Sequence, residues 1–557
     1  MRILLAASEA APFAKTGGLA DVAGALPVAL KALGHEPWLF MPYYRQVAAA
    51  NVPVRPVARF AVPMGAGRVE AVILRGETPR GKVPVFFVAR DEFFNRPGLY
   101  GSGDRDHPDN CERFAFFCRA VCEATRELEL TPDVVHCHDW QTALIPAYLR
   151  FIYRDTQRLA QAASVFTIHN LAFQGIFPPW KMPATGLDVT HFNWQEYEYY
   201  GNLNLMKGAL VHSDVINTVS KRYAREIQTP EGGYGLNGVL AARHADLFGI
   251  VNGLDYTVWD PACDDELACK FSPRRPGGKA RCKLDLQEDL GLDPDPDKPL
   301  IGLVSRLTEQ KGLDILGEAL PAIMTLPVQF ALLGDGEERF KWAFSELAGR
   351  YPGRMAVRFG LNEKLAHRIP AAADIYLMPS RFEPCGLSQL IALRYGAVPV
   401  VRETGGLADT ITDSVNGFTF FEYNATALLV AVRRALAARA NAGYWAKLVR
   451  ECMTEEWDWC RSAGEYARLY ALARSRRGLP VPIAPEMAPA DLHRKISVKR
   501  PCRKKVDVAP KKSDKSDRSD RSDKKVRAAR TAKAAKAVRS TKSTKSTKPN
   551  TPSRRRR

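Results

Sequence analysis

Ile3-Leu4-Leu5-Ala6-Ala7, a loop ending in Lys15-Thr16-Gly17-Gly18, and then Leu19, Val22, Leu26, Val28, Leu30 and Leu33 before Gly34 read as strand, glycine turn and amphipathic helix. That is the β-loop-α unit of which doubly wound sheets are built. The hexapeptide at its turn, Thr-Gly-Gly-Leu-Ala-Asp at 16–21, recurs unchanged at 404–409. A glycine pair frees backbone N–H groups and permits positive φ, and the N-terminus of the following helix favours anions. Each copy is a candidate cradle for phosphate or sugar; the competing reading is two ordinary helix-entry turns.

Outward from this unit, strands are predicted at 84–88, 134–137, 165–168 and 215–219, with helical patterns between most of them. Alternation of this kind implies a parallel sheet covered by helices. Gly291-Leu292-Asp293-Pro294-Asp295-Pro296-Asp297 is too proline-broken for a sheet interior. Beyond it the grammar repeats, with strands predicted at 300–304, 329–333, 356–359, 375–378 and 398–401 and helices near 313–324, 363–372, 387–395 and 424–439. A chain of 557 residues exceeds what one core serves. The expected architecture is α/β: a Rossmann-like domain over 1–255, a linker region over 256–298, a second Rossmann-like domain over 299–475 and a tail over 476–557. Ligands of such sheets bind outside the carboxyl ends of the strands, so two facing domains create one cleft, with a glycine loop from each side.

The net charge of +19 suggests a nucleic-acid partner until it is divided along the chain. Residues 491–557 hold 26 Lys and Arg against 6 Asp, or +20, which leaves −1 for residues 1–490. The tail, rich in Lys, Arg, Ser, Ala and Thr, has too little apolar surface to offset ordering entropy and is expected to be disordered. It is a candidate for nonspecific polyanion contact, although no aromatic residue is present there for base stacking. No window approaches the roughly 18 apolar residues of a membrane span, and Glu9 arrives too early for a signal peptide. Eleven scattered cysteines without a C-x-x-C pair argue against a disulfide framework or zinc site and fit a reducing cytoplasm.

Three constellations carry chemistry. Lys15 and Asp21 flank the first glycine pair, the mixture of charge that a sugar diphosphate needs. Arg306 and Lys311, five apart at a strand-to-helix turn, can converge on one anion and stabilise a departing diphosphate without metal; the competing reading is an exposed basic turn. In the run Arg381-Phe382-Glu383-Pro384-Cys385-Gly386-Leu387-Ser388, Pro384 holds Glu383 extended, and Gly386 admits a ligand where the next helix begins. Cys385 has no partnering base in sequence and reads as a small residue beside a ligand, not as a nucleophile.

These stretches, with His138-Asp139-Trp140, Thr167-Ile168-His169-Asn170 and Asn252-Gly253-Leu254-Asp255, resemble in order the bacterial glycogen synthase and plant starch synthase family over roughly residues 1–475. The resemblance implies a GT-B fold, ADP-glucose as donor, and metal-independent, cofactor-free transfer with retention to the non-reducing 4-OH of an α-1,4-glucan such as glycogen. It implies that Lys15 and the Gly17 and Gly18 amides meet the donor phosphates, and that Asp21 and Asn252 position the nucleotide sugar. Asp139 and His169 are to contact the glucosyl unit, with the His169 carbonyl near the anomeric carbon. Arg306 and Lys311 are to neutralise the leaving diphosphate and Glu383 to hold glucose hydroxyls, while Cys385, Gly386, Leu387 and Ser388 line the donor.

Several positions depart from the family pattern. Leu361 follows Gly360 where many relatives have an aromatic residue that stacks on adenine, so a UDP-glucose-preferring synthase is the alternative within the fold. Ser388 replaces a frequent threonine, and Ile391 stands where related glycosyltransferases place a second glutamate. The alternative of another class is polyanion or nucleic-acid binding through the tail. A phosphorylase is disfavoured because no lysine context suggests a pyridoxal phosphate anchor. Asp293, Asp295 and Asp297 read as a solvated turn before a metal motif. His136 and His138 share one face of a strand, with no third ligand apparent in sequence. Trp194, Tyr197, Tyr199 and Tyr200 are read either as glucan-stacking or as core, and Trp457 and Trp459 as packing for a closing helix.

Overall fold

The computed structural model describes residues 1–482, apart from 66, 103 and 104. Of the tail expected over 476–557, residues 476–482 are described, with Arg476 ending the last described helix and Arg477 donating to the Ala162 carbonyl at 2.6 Å; the rest, and with it the expected disorder and polyanion contact, lies outside the described residues. In the first half, nine strands form one sheet: β1 (Arg2–Ala6), β2 (Glu36–Pro42), β3 (Arg55–Met64), β4 (Gly67–Glu77), β5 (Pro84–Ala89), β6 (Val134–His138), β7 (Ala163–Ile168), β8 (Val215–Thr218) and β9 (Leu247–Gly249). Their order is β9-β8-β7-β6-β1-β2-β5-β4-β3, parallel from β9 to β5, with β4 and β3 antiparallel. The hairpin of β3 and β4 is absent from the sequence reading. Prolines 56 and 63 argue against a strand, yet β3 is the sheet edge, where a missing N–H costs no ladder bond.

The second sheet runs β12-β11-β10-β13-β14-β15 and is parallel throughout: β10 (Leu300–Leu307), β11 (Gln329–Gly336), β12 (Met355–Phe359), β13 (Ile375–Met378), β14 (Val398–Arg402) and β15 (Phe418–Phe420). In each sheet the first strand sits inside, and the chain winds to one side of it and then to the other. The switch points lie between β1 and β6 and between β10 and β13. Crevices open at such points because successive connections leave the sheet on opposite faces.

Helix α1 (Gly18–Ala32) buries Leu19, Val22, Leu26 and Leu30 in the first core, at the spacing seen in sequence. The expected linker region contains the helix α3 (Gly278–Leu290), which follows α2 (Lys221–Glu226) in the chain and whose Leu286 and Leu290 join the second core. That core is completed by α4 (Leu313–Ile323) and α5 (Glu363–Ala372); α6 (Ser388–Arg394) and α7 (Gly405–Thr410) follow β13 and β14. Asp295 accepts N–H bonds from Asp297 and Lys298, so the acidic run is a closed turn.

The last described helix, α8 (Trp459–Arg476), crosses back. Trp459, Tyr466, Tyr470 and Ala473 pack in the first core, although sequence order places the helix in the 299–475 domain. Its tyrosines carry the reason: the Tyr470 hydroxyl meets His136 at 2.9 Å and the Tyr466 hydroxyl accepts from Asn217 at 3.1 Å. The two crossings run side by side, where the N–H of Leu254 donates to the carbonyl of Trp457 at 2.6 Å.

Candidate active site

The first hexapeptide lies beyond the carboxyl end of β1. Thr16 donates its N–H and its hydroxyl to Glu9 at 2.5 and 2.8 Å, and Gly17 donates its N–H at 3.3 Å. The Tyr100 hydroxyl donates to the same carboxylate at 2.8 Å. Glu9 is buried and fixes the turn from below. Neither glycine here has a positive φ; Gly17 is extended and Gly18 opens α1. What the pair provides is space, because a Cβ built on Gly17 meets nothing within 4 Å and one on Gly18 meets only Leu387 Cδ1 at 4.0 Å. Lys15 and Asp21 close a 2.7 Å ion pair over the turn. Burial raises the Asp21 carboxyl above the usual range, opposed by Lys15.

The second hexapeptide does a different job. Gly405 takes φ +45°, and a Cβ there would lie 1.9 Å from the carbonyl oxygen of Glu383; one on Gly406 would lie 2.0 Å from that of Cys385. The N–H of Gly405 donates to Glu226 and that of Gly406 to the carbonyl of Glu383. Expected as an open cradle facing the first, this turn is filled by protein atoms. Identical sequence does not settle the role because the occupant comes from distant chain.

At the ends of β6 and β7, Asp139 accepts the N–H of His169 at 2.7 Å and donates its own to the carbonyl of Thr167 at 3.0 Å. Burial pushes the Asp139 carboxyl up to about 8, against the pull of the His169 and Asn170 amides. His169 Nε2 stands 2.9 Å from His138 Nδ1, and the His138 ring packs 4.0 Å from that of His136. Burial lowers the His136 and His169 imidazoles to about 3 and His138 well below its usual value, so all three are neutral at pH 7. His169 is thus the third imidazole not apparent from the strand alone. It is engaged in a ring-to-ring hydrogen bond, and among the described residues no group of three or more His, Cys, Asp or Glu is arranged to hold a metal.

From the second half, Lys311 pairs with Glu383 at 2.6 Å, and the Ser380 hydroxyl donates to the same carboxylate oxygen at 3.1 Å. Glu383 is buried, whereas Arg306 is exposed and its guanidinium donates to Gln310 Oε1 at 3.3 Å. Gly386 takes φ +75°, placing Leu387 and Ser388 at the start of α6. Burial raises the Cys385 thiol to about 12, which suppresses thiolate. The main-chain N–H of Asn252 points at that sulfur, while the buried Asn252 Oδ1 has no hydrogen-bond partner among the described residues. An orphaned buried acceptor costs about 1–3 kcal/mol unless a ligand pairs with it.

A cavity of about 180 Å³ lies between the first glycine turn and the turn carrying Arg306 and Lys311, and Lys15, Asp21, Asn252, Glu383 and Cys385 are not among its lining residues. Thr16 and Gly17 line it from the first half, and Ser305, Arg306, Lys311, Ser380 and Ser388 from the second. Both walls lie at the switch points of their sheets. Asp139 and His169 form their own pair and are not among the lining residues. The aromatic cluster divides: Tyr197 is fully buried, whereas Trp194 and Tyr200 are 74% and 80% exposed. Trp457 and Trp459 are buried, as expected for packing. Sequence reasoning missed Glu9, Tyr100 and Glu226. Their carboxylates and hydroxyl sit in ordinary sequence; Glu9 and Glu226 are marked by contact with a glycine turn seven and 179 residues distant, and Tyr100 by its bond to Glu9.

Comparison with known proteins places the family and the fold. Residues 2–242 match the starch synthase catalytic domain and residues 289–451 match glycosyl transferases group 1. The glycogen synthase of Geotalea uraniireducens (strain Rf4) is 47% identical over 491 residues, covering 86% of this chain and 100% of the relative. Glycogen synthase 2 of Geobacter sulfurreducens is 48% identical over 485 residues, with the same coverage. Among solved structures, the catalytic domain of starch synthase IV from Arabidopsis thaliana, bound to ADP and acarbose, superposes with a TM-score of 0.78 at 32% identity, covering 85% of this chain and 99% of that one. Sucrose-phosphate synthase from Thermosynechococcus elongatus, at 17% identity and a TM-score of 0.55, shares the fold. With its two glycine turns, its paired sheets and these relatives, this chain is a GT-B glycosyltransferase that belongs to the glycogen synthase and starch synthase family.

Proposed function

We propose that the chain lengthens α-1,4-glucan by transferring glucose from ADP-glucose to the non-reducing 4-OH with retention. The observation that carries this reading is the cavity itself, where an open glycine turn from one sheet faces Arg306 and Lys311 from the other. Lys311 spends one N–H on Glu383; an ammonium has three, so two remain for phosphate. Arg306 adds a planar guanidinium suited to an anion. Together they take the charge of the departing diphosphate. The sugar becomes oxocarbenium-like, the acceptor hydroxyl attacks the face the diphosphate leaves, and its proton passes to the departing oxygen. Lys15 and the amide of Gly18 hold the donor phosphates, the Gly17 amide expected beside it being engaged by Glu9; Asp21 and the orphaned Asn252 carbonyl oxygen orient the nucleotide sugar, and Glu383 holds glucose hydroxyls. Asp139, its carboxyl raised by burial, fixes the His169 main chain whose carbonyl faces the anomeric carbon.

Leu361 is fully exposed and offers the base no aromatic face. ADP over UDP therefore rests on other contacts, which makes donor choice the point to test. Incubation with glycogen and labelled ADP-glucose or UDP-glucose, chelator present, is expected to give strong incorporation into α-1,4-glucan from ADP-glucose. Incorporation from UDP-glucose alone would overturn the donor assignment, and none from either would overturn the reaction. Ten described cysteines, all free thiols, support a reducing compartment, which we take to be the cytoplasm. Among the described residues no helix is long and apolar enough to cross a membrane. The +20 charge of residues 491–557 supports a nonspecific polyanion contact beside the catalytic role.

A further inference from the structure

The filled glycine turn joins the two halves at the position that sets the Glu383 carboxylate. Glu226, the last residue of α2, places both carboxylate oxygens 3.1 Å from the N–H of Gly405, and the Thr404 hydroxyl donates to them at 3.3 and 3.5 Å. The contact is reciprocal, because Asp409 of α7 accepts the N–H of Arg222, at the start of α2, at 3.0 Å. The turn so held is pressed against the chain that carries Glu383. Gly406 donates its N–H to the Glu383 carbonyl at 3.0 Å, and neither glycine leaves room for a side chain there. From the first half, the Ser220 hydroxyl donates to the Pro384 carbonyl at 2.6 Å, and the Tyr234 ring stands 5.7 Å from that of Phe382. The peptide from Phe382 to Cys385 is thus held by the second glycine turn on one side and by Ser220 and Tyr234 on the other, and its one charge is the carboxylate paired with Lys311.

We propose that Glu226 is a positioning residue: by plugging the second glycine turn it holds α7 against the Glu383 main chain, and so sets where the Glu383 carboxylate meets Lys311 and the sugar. The role rests on the transfer reaction proposed above, because it acts through Glu383. Glu226 also pairs with Arg222 Nε at 3.1 Å within its own helix, but the groups it meets on the other half are a main-chain N–H and a hydroxyl, so the role depends on reach and acceptor geometry more than on net charge. Displacement of a catalytic group by about 1 Å is enough to cost up to 10²-fold in rate.

Two conservative variants separate reach from charge. Glu226→Asp keeps the carboxylate but is one methylene short; Glu226→Gln loses the charge but keeps a carbonyl oxygen for Gly405. Glucosyl transfer by the full-length variants is expected to show kcat about tenfold down in Glu226→Asp, with KM for ADP-glucose and the Kd of ADP within twofold of wild type. Glu226→Gln is expected to stay within threefold of wild-type kcat, and both melting temperatures to stay near wild type. Wild-type kcat in Glu226→Asp would overturn the role. So would equal losses in both variants that follow a fall in melting temperature or in ADP affinity, which would make the contact merely structural. If the wild-type protein transfers no glucose while binding ADP, the reaction assigned above fails instead, and the two failures are distinguished.

Discussion

Asp139 carries its carboxyl on a backbone at φ +57° and ψ 179°, a region that is essentially glycine's and costs of order 1–3 kcal/mol for another residue. Its bonds to His169 and Thr167 hold it there, and such strain at a strand end is a mark of function that no sequence pattern carries. Protonation at this point gives opposite pH dependences. The raised Asp139 carboxyl keeps its proton in the folded state up to about pH 8 and loses it near 3.8 when unfolded, so its effect is a loss of stability as pH rises through that window. His136, His138 and His169 stay neutral when folded but protonate near pH 6.5 when unfolded, so their contribution is full above 6.5 and is lost on acidification. Below pH 6.5 three groups oppose one. The thermal midpoint is therefore expected to fall from pH 6.5 to pH 5, and to fall more gently from 6.5 to 8.5, where Asp139→Asn flattens the change. A midpoint unchanged between pH 6.5 and 5 would contradict the neutral assignment of the histidines. At the cation wall, Lys311→Ala and Glu383→Ala are each expected to lower transfer at least tenfold while circular dichroism stays native, since a charge-assisted hydrogen bond contributes about 1.5–3 kcal/mol; near-normal turnover in both would remove these residues from the site.

Two copies of one hexapeptide show what an element inherits from its surroundings. At Gly17 the space above the turn is open, so Gly17→Ala is expected to leave the melting temperature within about a degree of wild type and to raise KM for ADP-glucose about tenfold by intruding on the donor. At Gly405 the same change meets the Glu383 carbonyl at 1.9 Å on a left-handed backbone. Gly405→Ala is expected to cost at least about 2 kcal/mol of stability. Thermal melts of the two variants check the contrast, and equal melting temperatures would contradict it. Most of the parallel strands were legible in the chain because their apolar runs survive burial, but β2, β9 and β15 were not read. The glycine turns were legible as turns, but their contents were not, since Glu9 and Glu226 carry no local signal. The β3–β4 hairpin was hidden for a different reason: the prolines and exposed arginines of β3, Arg55 and Arg59, suit an edge and argue locally against any strand.

Taken as a whole, the chain builds its first core from both ends, with α8 returning from residue 459 to pack beside β6 and β7. The sequence grammar of alternating strands and helices could not show this, because α8 is one amphipathic helix equally able to cover either sheet. Its hydrogen bonds to His136 and Asn217 select the first, so Tyr470→Phe is expected to lower stability by about 1 kcal/mol through the lost hydrogen bond, read as a shift in urea midpoint; no shift would separate the helix from the histidine row. At the other extreme, truncation after Ala490 is expected to leave glucan synthesis intact and to abolish salt-sensitive retention on a polyanion column; if both stay unchanged, the tail has no such role. The central claim is that the two halves grip one diphosphate in one cavity, and the affinity of ADP for wild type, Lys15→Ala and Arg306→Ala, measured by calorimetry, tests it most directly. Both variants are expected to weaken ADP binding roughly ten- to a hundredfold. An affinity within twofold of wild type in either variant would mean that its half does not touch the diphosphate, and would contradict the shared cavity.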